Sequence, residues 1–218
     1  DALLELVVPQ WGSGSRMDGA LQQLLRNNRL LWRGRGGVMP AGGGLATGFA
    51  ALDTILPEGG WPRDALLELV VPQWGIGELQ LLLPAMQAVA RAGRWVVWIA
   101  PPHIPYAPAL ADGDVPLNRV LLLQPRRQED IPWAMEKALH RHALVLAWPG
   151  RLKPVMVRRL QLAAEAGRSL GVLFQTRDRG ASPAALRLRL QPTVSGLQVH
   201  ILKSRAADRR QTVELALM

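Results

Sequence analysis

Leu66-Leu67-Glu68-Leu69-Val70-Val71-Pro72-Gln73-Trp74-Gly75-Ile76-Gly77-Glu78-Leu79 is the stretch on which the fold turns. Its first six residues are nearly all apolar, as in a strand buried on both faces of a parallel sheet. Pro72 to Gly77 then form a loop that opens a helix near Glu78. A strand, a glycine-bearing loop and a helix make the usual seat of a phosphate-binding loop. A working loop reads G-x-x-x-x-G-K-[ST], because its amides and lysine hold phosphates and its hydroxyl holds magnesium. Val71, Pro72, Gln73, Trp74, Gly75, Ile76, Gly77 and Glu78 supply neither the lysine nor the Ser/Thr. A carboxylate at Glu78 would also repel a phosphate at the helix N-terminus. The stretch keeps the shape for a nucleotide and lacks the chemistry, so no cofactor is expected.

Outward from this stretch, strands and helices alternate. Helix Glu78–Ala92 stops at Gly93, a suitable residue just past a helix end. Strand Trp95–Ala100, a stiff proline-rich segment and a short helix over 109–112 follow. Strand Asn118–Gln124, helix Glu129–His140, strand Leu144–Trp148, helix Pro154–Ala166 and strand Ser169–Gln175 continue the pattern. This predicts an α/β fold with a mostly parallel sheet flanked by helices. Leu186–Gln191, Leu197–Leu202 and Thr212–Leu217 predict a short antiparallel C-terminal extension, with a hairpin at Ser195-Gly196. Upstream, the apolar spacing from Asp18 to Trp32 predicts an amphipathic helix, and the glycine runs up to Gly44 read as a linker.

Residues Asp1 to Gly12 are identical to Asp64–Gly75. Twelve matching residues without drift are unlike an ancient repeat. Ser13-Gly14-Ser15-Arg16 has a linker composition, and Met17 looks like a natural start. Residues 1–16 therefore read as an appended leader, 17–44 as the N-terminal helix and linker, and 45–218 as the core domain. The leader is strand-forming and able to add to an exposed sheet edge of its own or another molecule, which makes self-association an expectation.

A chain of 218 residues, 49% apolar, suits one α/β domain. No apolar run approaches the ~20 residues of a membrane span. The absence of cysteine excludes disulfides, thiolate catalysis and cysteine-based zinc sites, and a cytoplasmic location is the default. The net charge of +9 is unevenly spread: residues 141–218 carry 14 Lys/Arg against 4 Asp/Glu. A basic half suggests nucleic acid or an acidic protein as partner. His140 and His142 stand at i, i+2 and do not share a helix face, so neither a metal site nor a triad is legible.

Thr47-Gly48-Phe49, Leu52-Asp53, Gly59-Gly60-Trp61-Pro62 and Leu67-Glu68-Leu69 resemble the lead-in to the ATP-binding core of the RecA recombinases. Trp32-Arg33-Gly34, Gly60-Trp61-Pro62-Arg63, Gly75-Ile76-Gly77-Glu78-Leu79, Arg94-Trp95 and Trp98-Ile99-Ala100-Pro101-Pro102-His103 are similar to a degenerate branch, the ImuA/SulA group, and more to ImuA than to SulA. The resemblance runs from Trp32 to the C-terminus and implies a RecA-like core. It places the catalytic glutamate and metal-linked aspartate of an ATPase near Pro102 and at Ala147-Trp148, where nothing is acidic. Without those groups nothing neutralises a transferred phosphoryl group, so the protein is expected not to be an enzyme.

The function this resemblance implies is a non-enzymatic accessory protein of SOS-induced, error-prone translesion DNA synthesis. An ImuB-type Y-family-like protein would be its partner, with RecA, an error-prone polymerase and DNA as further ones. The alternatives are a SulA-like cell-division inhibitor that binds FtsZ and a single-strand DNA-binding module. In the recombinases the loops after strands Leu144–Trp148 and Ser169–Gln175 face DNA. Arg151, Lys153, Arg177 and Arg179 are accordingly candidate DNA or partner contacts. Arg158 and Arg159 on the intervening helix, and Lys203, Arg205, Arg209 and Arg210 near the end, extend the basic set. Trp74 and Trp148 are expected to fill the vacated nucleotide pocket.

Overall fold

The computed structural model describes residues 4–5, 43–204 and 211–217. Its strands are β1 (Leu4–Glu5), β2 (Ala65–Val70), β3 (Val96–Ile99), β4 (Val120–Pro125), β5 (Leu144–Ala147), β6 (Leu170–Gln175), β7 (Leu186–Pro192), β8 (Gly196–Ser204) and β9 (Thr212–Ala216). They form one sheet in the order β1-β4-β3-β5-β6-β2-β7-β8-β9. The six strands from β4 to β7 in that order run parallel, and β8 and β9 add antiparallel to them. The helices are α1 (Ala50–Ile55), α2 (Glu78–Arg91), α3 (Ala107–Asp112), α4 (Ile131–Leu139) and α5 (Pro154–Gly167). An α/β core with a parallel sheet and an antiparallel extension is thus the observed fold. The N-terminal helix expected over 18–32 and the linker after it, up to residue 42, lie outside the described residues. Of the leader, Leu4 and Glu5 pair antiparallel with Pro125 and Gln124 on the outer edge of β4.

The apolar run that marks β2 is buried throughout, and its residues alternate between two layers. Leu67 and Leu69 pack with Leu81, Leu82 and Met86 of α2, whereas Leu66 packs with Met135 of α4 and Leu160 of α5. Burying each such side chain contributes roughly 1.5–3 kcal/mol. Glu68 is the exception in this strand, a carboxylate only 4% exposed.

The Thr47-Gly48-Phe49…Asp53 motif has a structural role. Asp53 Oδ1 accepts the Thr47 N–H at 2.9 Å, and Thr47 Oγ1 accepts the Phe49 N–H at 3.1 Å. Gly48 has φ +86°, and a Cβ there would lie 2.6 Å from the ring of Pro84 inside α2. The turn is therefore moulded onto the one proline of that helix. Among the boundaries that differ from the sequence expectation, α3 begins at Ala107, two residues early, with Pro108 in its first turn. Proline lacks only an N–H that is unpaired there anyway, so it opens the helix instead of delaying it.

Candidate functional site

The loop between β2 and α2 is closed on itself. Glu78, 5% exposed, folds back from the first turn of α2. Its Oε1 accepts the Gly75 N–H at 2.8 Å and its Oε2 the Ile76 N–H at 2.9 Å. Those amides are the donors that a phosphate-binding loop would aim at its ligand. The carboxylate does more than repel a phosphate, as the sequence suggested, because it occupies the amides a phosphate would need. Gly77 caps the helix at φ +110°, and a Cβ there would collide with Leu217 beyond β9. The end of the chain thus packs against the loop.

Beside this loop, aromatic rings stack across the C-terminal edge of the sheet. Trp148, just after β5, lies between Trp98 of β3 (centroids 5.6 Å, 21°) and Phe174 of β6 (4.3 Å, 1°). Trp74 meets the edge of Phe174 at 6.4 Å and 76°. The two indoles expected in the vacated pocket are indeed there, but half-buried. They floor an open concavity of about 320 Å³ instead of plugging it. Arg151 and Arg179 stand on its wall with Gln128.

The structure divides the basic residues singled out in the sequence. Arg151 and Arg179 share the concavity, while Lys153 and Arg177 are exposed on the same two loops outside its lining. Arg158 and Arg159 sit on the outer face of α5, where Arg159 pairs with Glu136 of α4 at 2.8 Å. Lys203 on β8 donates its ammonium protons to Ser182 O and Ala184 O, at 2.6 and 2.8 Å. It ties the β6–β7 loop down. Arg205, Arg209 and Arg210 lie outside the described residues.

The same loop is held by an ion network, buried at its Arg187–Glu68 centre, that the sequence did not reveal. Arg187 of β7 donates to Glu68 at 2.7 Å and to Asp178 at 2.8 Å, and Ser182 Oγ donates to Glu68 at 2.7 Å. Arg189 adds a further contact to Asp178. Burial alone would raise the Asp178 pKa. Hydrogen bonds from Arg187 and the Gly180 amide, with the charges of Arg187 and Arg189, outweigh it and hold the carboxyl below its ordinary range. Arg187 in turn stays protonated despite burial, its pKa raised by Asp178 and Glu68. Asp178 stands between Arg177 and Arg179, so the network positions the arginines of the edge. The sequence signal was the lone Glu68 in an apolar strand, whose partner is 119 residues away.

Among the described residues no three His, Cys, Asp or Glu side chains converge as a metal site, and no helix is long and apolar enough to cross a membrane. Fold and site together define a parallel α/β domain whose phosphate loop is filled by its own carboxylate. The model of the family "Cell division inhibitor SulA" matches residues 68–171. A cell division inhibitor SulA from Edwardsiella piscicida is 33% identical over 122 residues, covering 53% of this chain and 73% of the relative. Another, from Yersinia pestis (strain Pestoides F), is 33% identical over 98 residues, 44% of this chain and 58% of that one. The chain belongs to the SulA family. A solved structure of SulA from Pseudomonas aeruginosa is similar over 50% of this chain and 96% of its own, at 24% identity and a TM-score of 0.42.

These matches correct the partner expectation. An ImuB-type protein, with RecA, an error-prone polymerase and DNA beside it, was inferred from an ImuA resemblance. The family model and the curated relatives are those of a cell-division inhibitor. The Gly75–Leu79 and Arg94–His103 stretches, cited above for the ImuA resemblance, both fall within the residues that the SulA model matches.

Proposed function

We propose that this protein is a SulA-like cell-division inhibitor of the SOS response, which acts in the cytoplasm by binding FtsZ and performs no catalysis. The observation that carries this reading is family membership across nearly three quarters of a curated SulA. The Glu78 closure supports the non-catalytic part, since it occupies the Gly75 and Ile76 amides and the loop has no lysine to hold a phosphate. For the contact surface, the proposal takes the C-terminal edge of the sheet. Ligands of open α/β sheets bind outside that edge. Here it offers apolar rings for area and Arg151, Lys153, Arg177 and Arg179 for an acidic face of the partner.

The test is FtsZ assembly followed by light scattering and sedimentation with increasing amounts of the protein. Equimolar protein should suppress assembly, and R151A/R179A should need a several-fold higher concentration. Undiminished assembly at a large molar excess would overturn the inhibitor reading. Full suppression by R151A/R179A would keep the inhibitor and move its surface elsewhere.

A further inference from the structure

The opposite end of the sheet carries an arrangement that the division reading does not use. Arg63, Arg94, His142 and Arg168 each stand two residues ahead of a parallel strand, namely β2, β3, β5 and β6. These four strands are neighbours in the order β3-β5-β6-β2. Their first residues are also in register, since Val96 pairs with Leu144, Leu144 with Leu170, and Leu170 with Ala65. Four basic side chains therefore start from one row across the N-terminal edge. Adjacent strands lie about 4.8 Å apart, so the row spans about 14 Å.

The row is built rather than loose. Buried Ser169 Oγ accepts the Ala143 N–H at 2.9 Å and donates to Leu139 O at 2.6 Å, which clamps the lead-in to β6 against the lead-in to β5. Leu144 N–H donates to Trp95 O at 3.0 Å and fixes the lead-in to β3 beside them. Gly167 allows the close approach, because a Cβ there would strike the backbone of Leu139 and His140. His142 and Arg168 both hold positive φ, 52° and 49°, a conformation that is unfavourable for a non-glycine residue.

Like charges gather here. Arg63, Arg94 and Arg168 line one small cavity of about 30 Å³, walled by Ala88, Val89 and Leu170. Arg63 is anchored, donating to Gly43 O at 2.6 Å and Gly44 O at 3.2 Å. Among the described residues neither Arg94 nor Arg168 has an acidic side chain within salt-bridge distance. His142 reports the crowding: burial first, and then the charges of Arg94 and Arg168, lower its pKa. Converging cations are unfavourable unless an anion joins them.

We propose that this row is a binding site for a phosphate-class oxyanion, gripped by the guanidinium groups of Arg94 and Arg168, with Arg63 and His142 beside them. Planar guanidinium forks match the oxygens of phosphate two at a time. The cavity between them, about 30 Å³, is too small for a base or sugar, so only the phosphoryl end of a larger ligand could reach it.

The test is calorimetric titration of the full chain at constant ionic strength with inorganic phosphate and, separately, with O-phosphoserine. In parallel, the His142 imidazole signals are followed by NMR. Saturable phosphate binding that shifts those signals is the expected result. R94Q/R168Q should weaken it by at least about tenfold, and R151Q at the other edge should leave it unchanged. If R94Q/R168Q fails to fold, R94K/R168K keeps the charges and loses the planar forks, and is read in the same way. Tighter O-phosphoserine than phosphate would assign the site to a phosphoryl group on a larger ligand, and the reverse order to free phosphate. No saturable binding of either probe, or unchanged binding in the arginine variants, overturns the site. FtsZ inhibition is scored in a separate assay, so either reading can fail alone.

Discussion

Replacing Arg187 by alanine leaves the Glu68 carboxylate inside the sheet with one remaining donor, the Ser182 hydroxyl. The side chains of the pair are 7% and 5% exposed, so water does little to screen the loss. Removing one partner of such a buried pair costs roughly 3–5 kcal/mol. With a urea slope of about 2 kcal/mol/M, the unfolding midpoint should fall by about 2 M. Tryptophan fluorescence is a suitable monitor, because the stack around Trp148 lies on the strands that β7 completes. The double variant E68L/R187M removes both charges and fills a similar volume, so it should recover most of the loss. In both variants Asp178 loses the Arg187 anchor, and Arg179 should lose its fixed place on the edge. The reasoning fails if R187A moves the midpoint by less than about 0.5 M. It fails equally if E68L/R187M is no more stable than R187A.

The Asp178 carboxyl is held below its ordinary range, so its contribution to stability is complete above that range and is lost as pH falls through the lowered folded value. The gap in urea midpoint between wild type and D178N should accordingly shrink from pH 7 towards pH 3; a constant gap would exclude the charge as its cause. His142 behaves oppositely, since its depressed pKa disfavours the charged ring in the fold. H142N should abolish a loss of stability that the wild type shows as pH falls below the usual histidine range. Titration calorimetry with ATP and magnesium should give no isotherm below millimolar, and E78A should not create one, because lysine and hydroxyl remain absent; a micromolar isotherm in either protein would refute the closed-loop account. W148A removes a ring stacked on two others and should cost about 2–4 kcal/mol by chemical denaturation.

The parallel core was legible because its strands are buried on both faces, so each appears in the sequence as an uninterrupted apolar run between helices. The loop at Gly75–Glu78 was equally legible as a phosphate loop stripped of its lysine. That Glu78 turns back onto two amides was not, since a carboxylate at a helix start reads the same whether it caps its own loop or faces water. Lys203 shows a related limit. Charge counts the ammonium but does not reveal that two carbonyls of another loop already hold it. The choice between ImuA and SulA leaned partly on Trp32-Arg33-Gly34 and Thr47–Asp53, which stand before the residues the SulA model matches. Thr47–Asp53 also proves to be a turn that caps itself and packs on Pro84, a role tied to folding and not to any one partner.

The row of Arg63, Arg94, His142 and Arg168 marks the limit of sequence reading in another way. Each residue alone looks like an ordinary basic residue in a turn, and the spacings between them follow no motif. What joins them is the strand order, since β2 and β6 are neighbours although more than 90 residues separate Val70 from Leu170. A charge two residues ahead of a strand gains its neighbours only when the sheet is assembled in register. In this class of fold, ligand-carrying loops lie at the C-terminal edge of the sheet. In this chain that edge has lost its nucleotide chemistry to Glu78, while the N-terminal edge brings together Arg94 and Arg168, which form no salt bridge among the described residues. The two edges therefore make separable demands: rings and Arg151 with Arg179 for a protein surface, Arg94 with Arg168 for a small oxyanion. R151A/R179A and R94Q/R168Q should each weaken one binding and spare the other. Loss of both in either variant would mean that the edges are coupled through the sheet, and that the two sites are not independent.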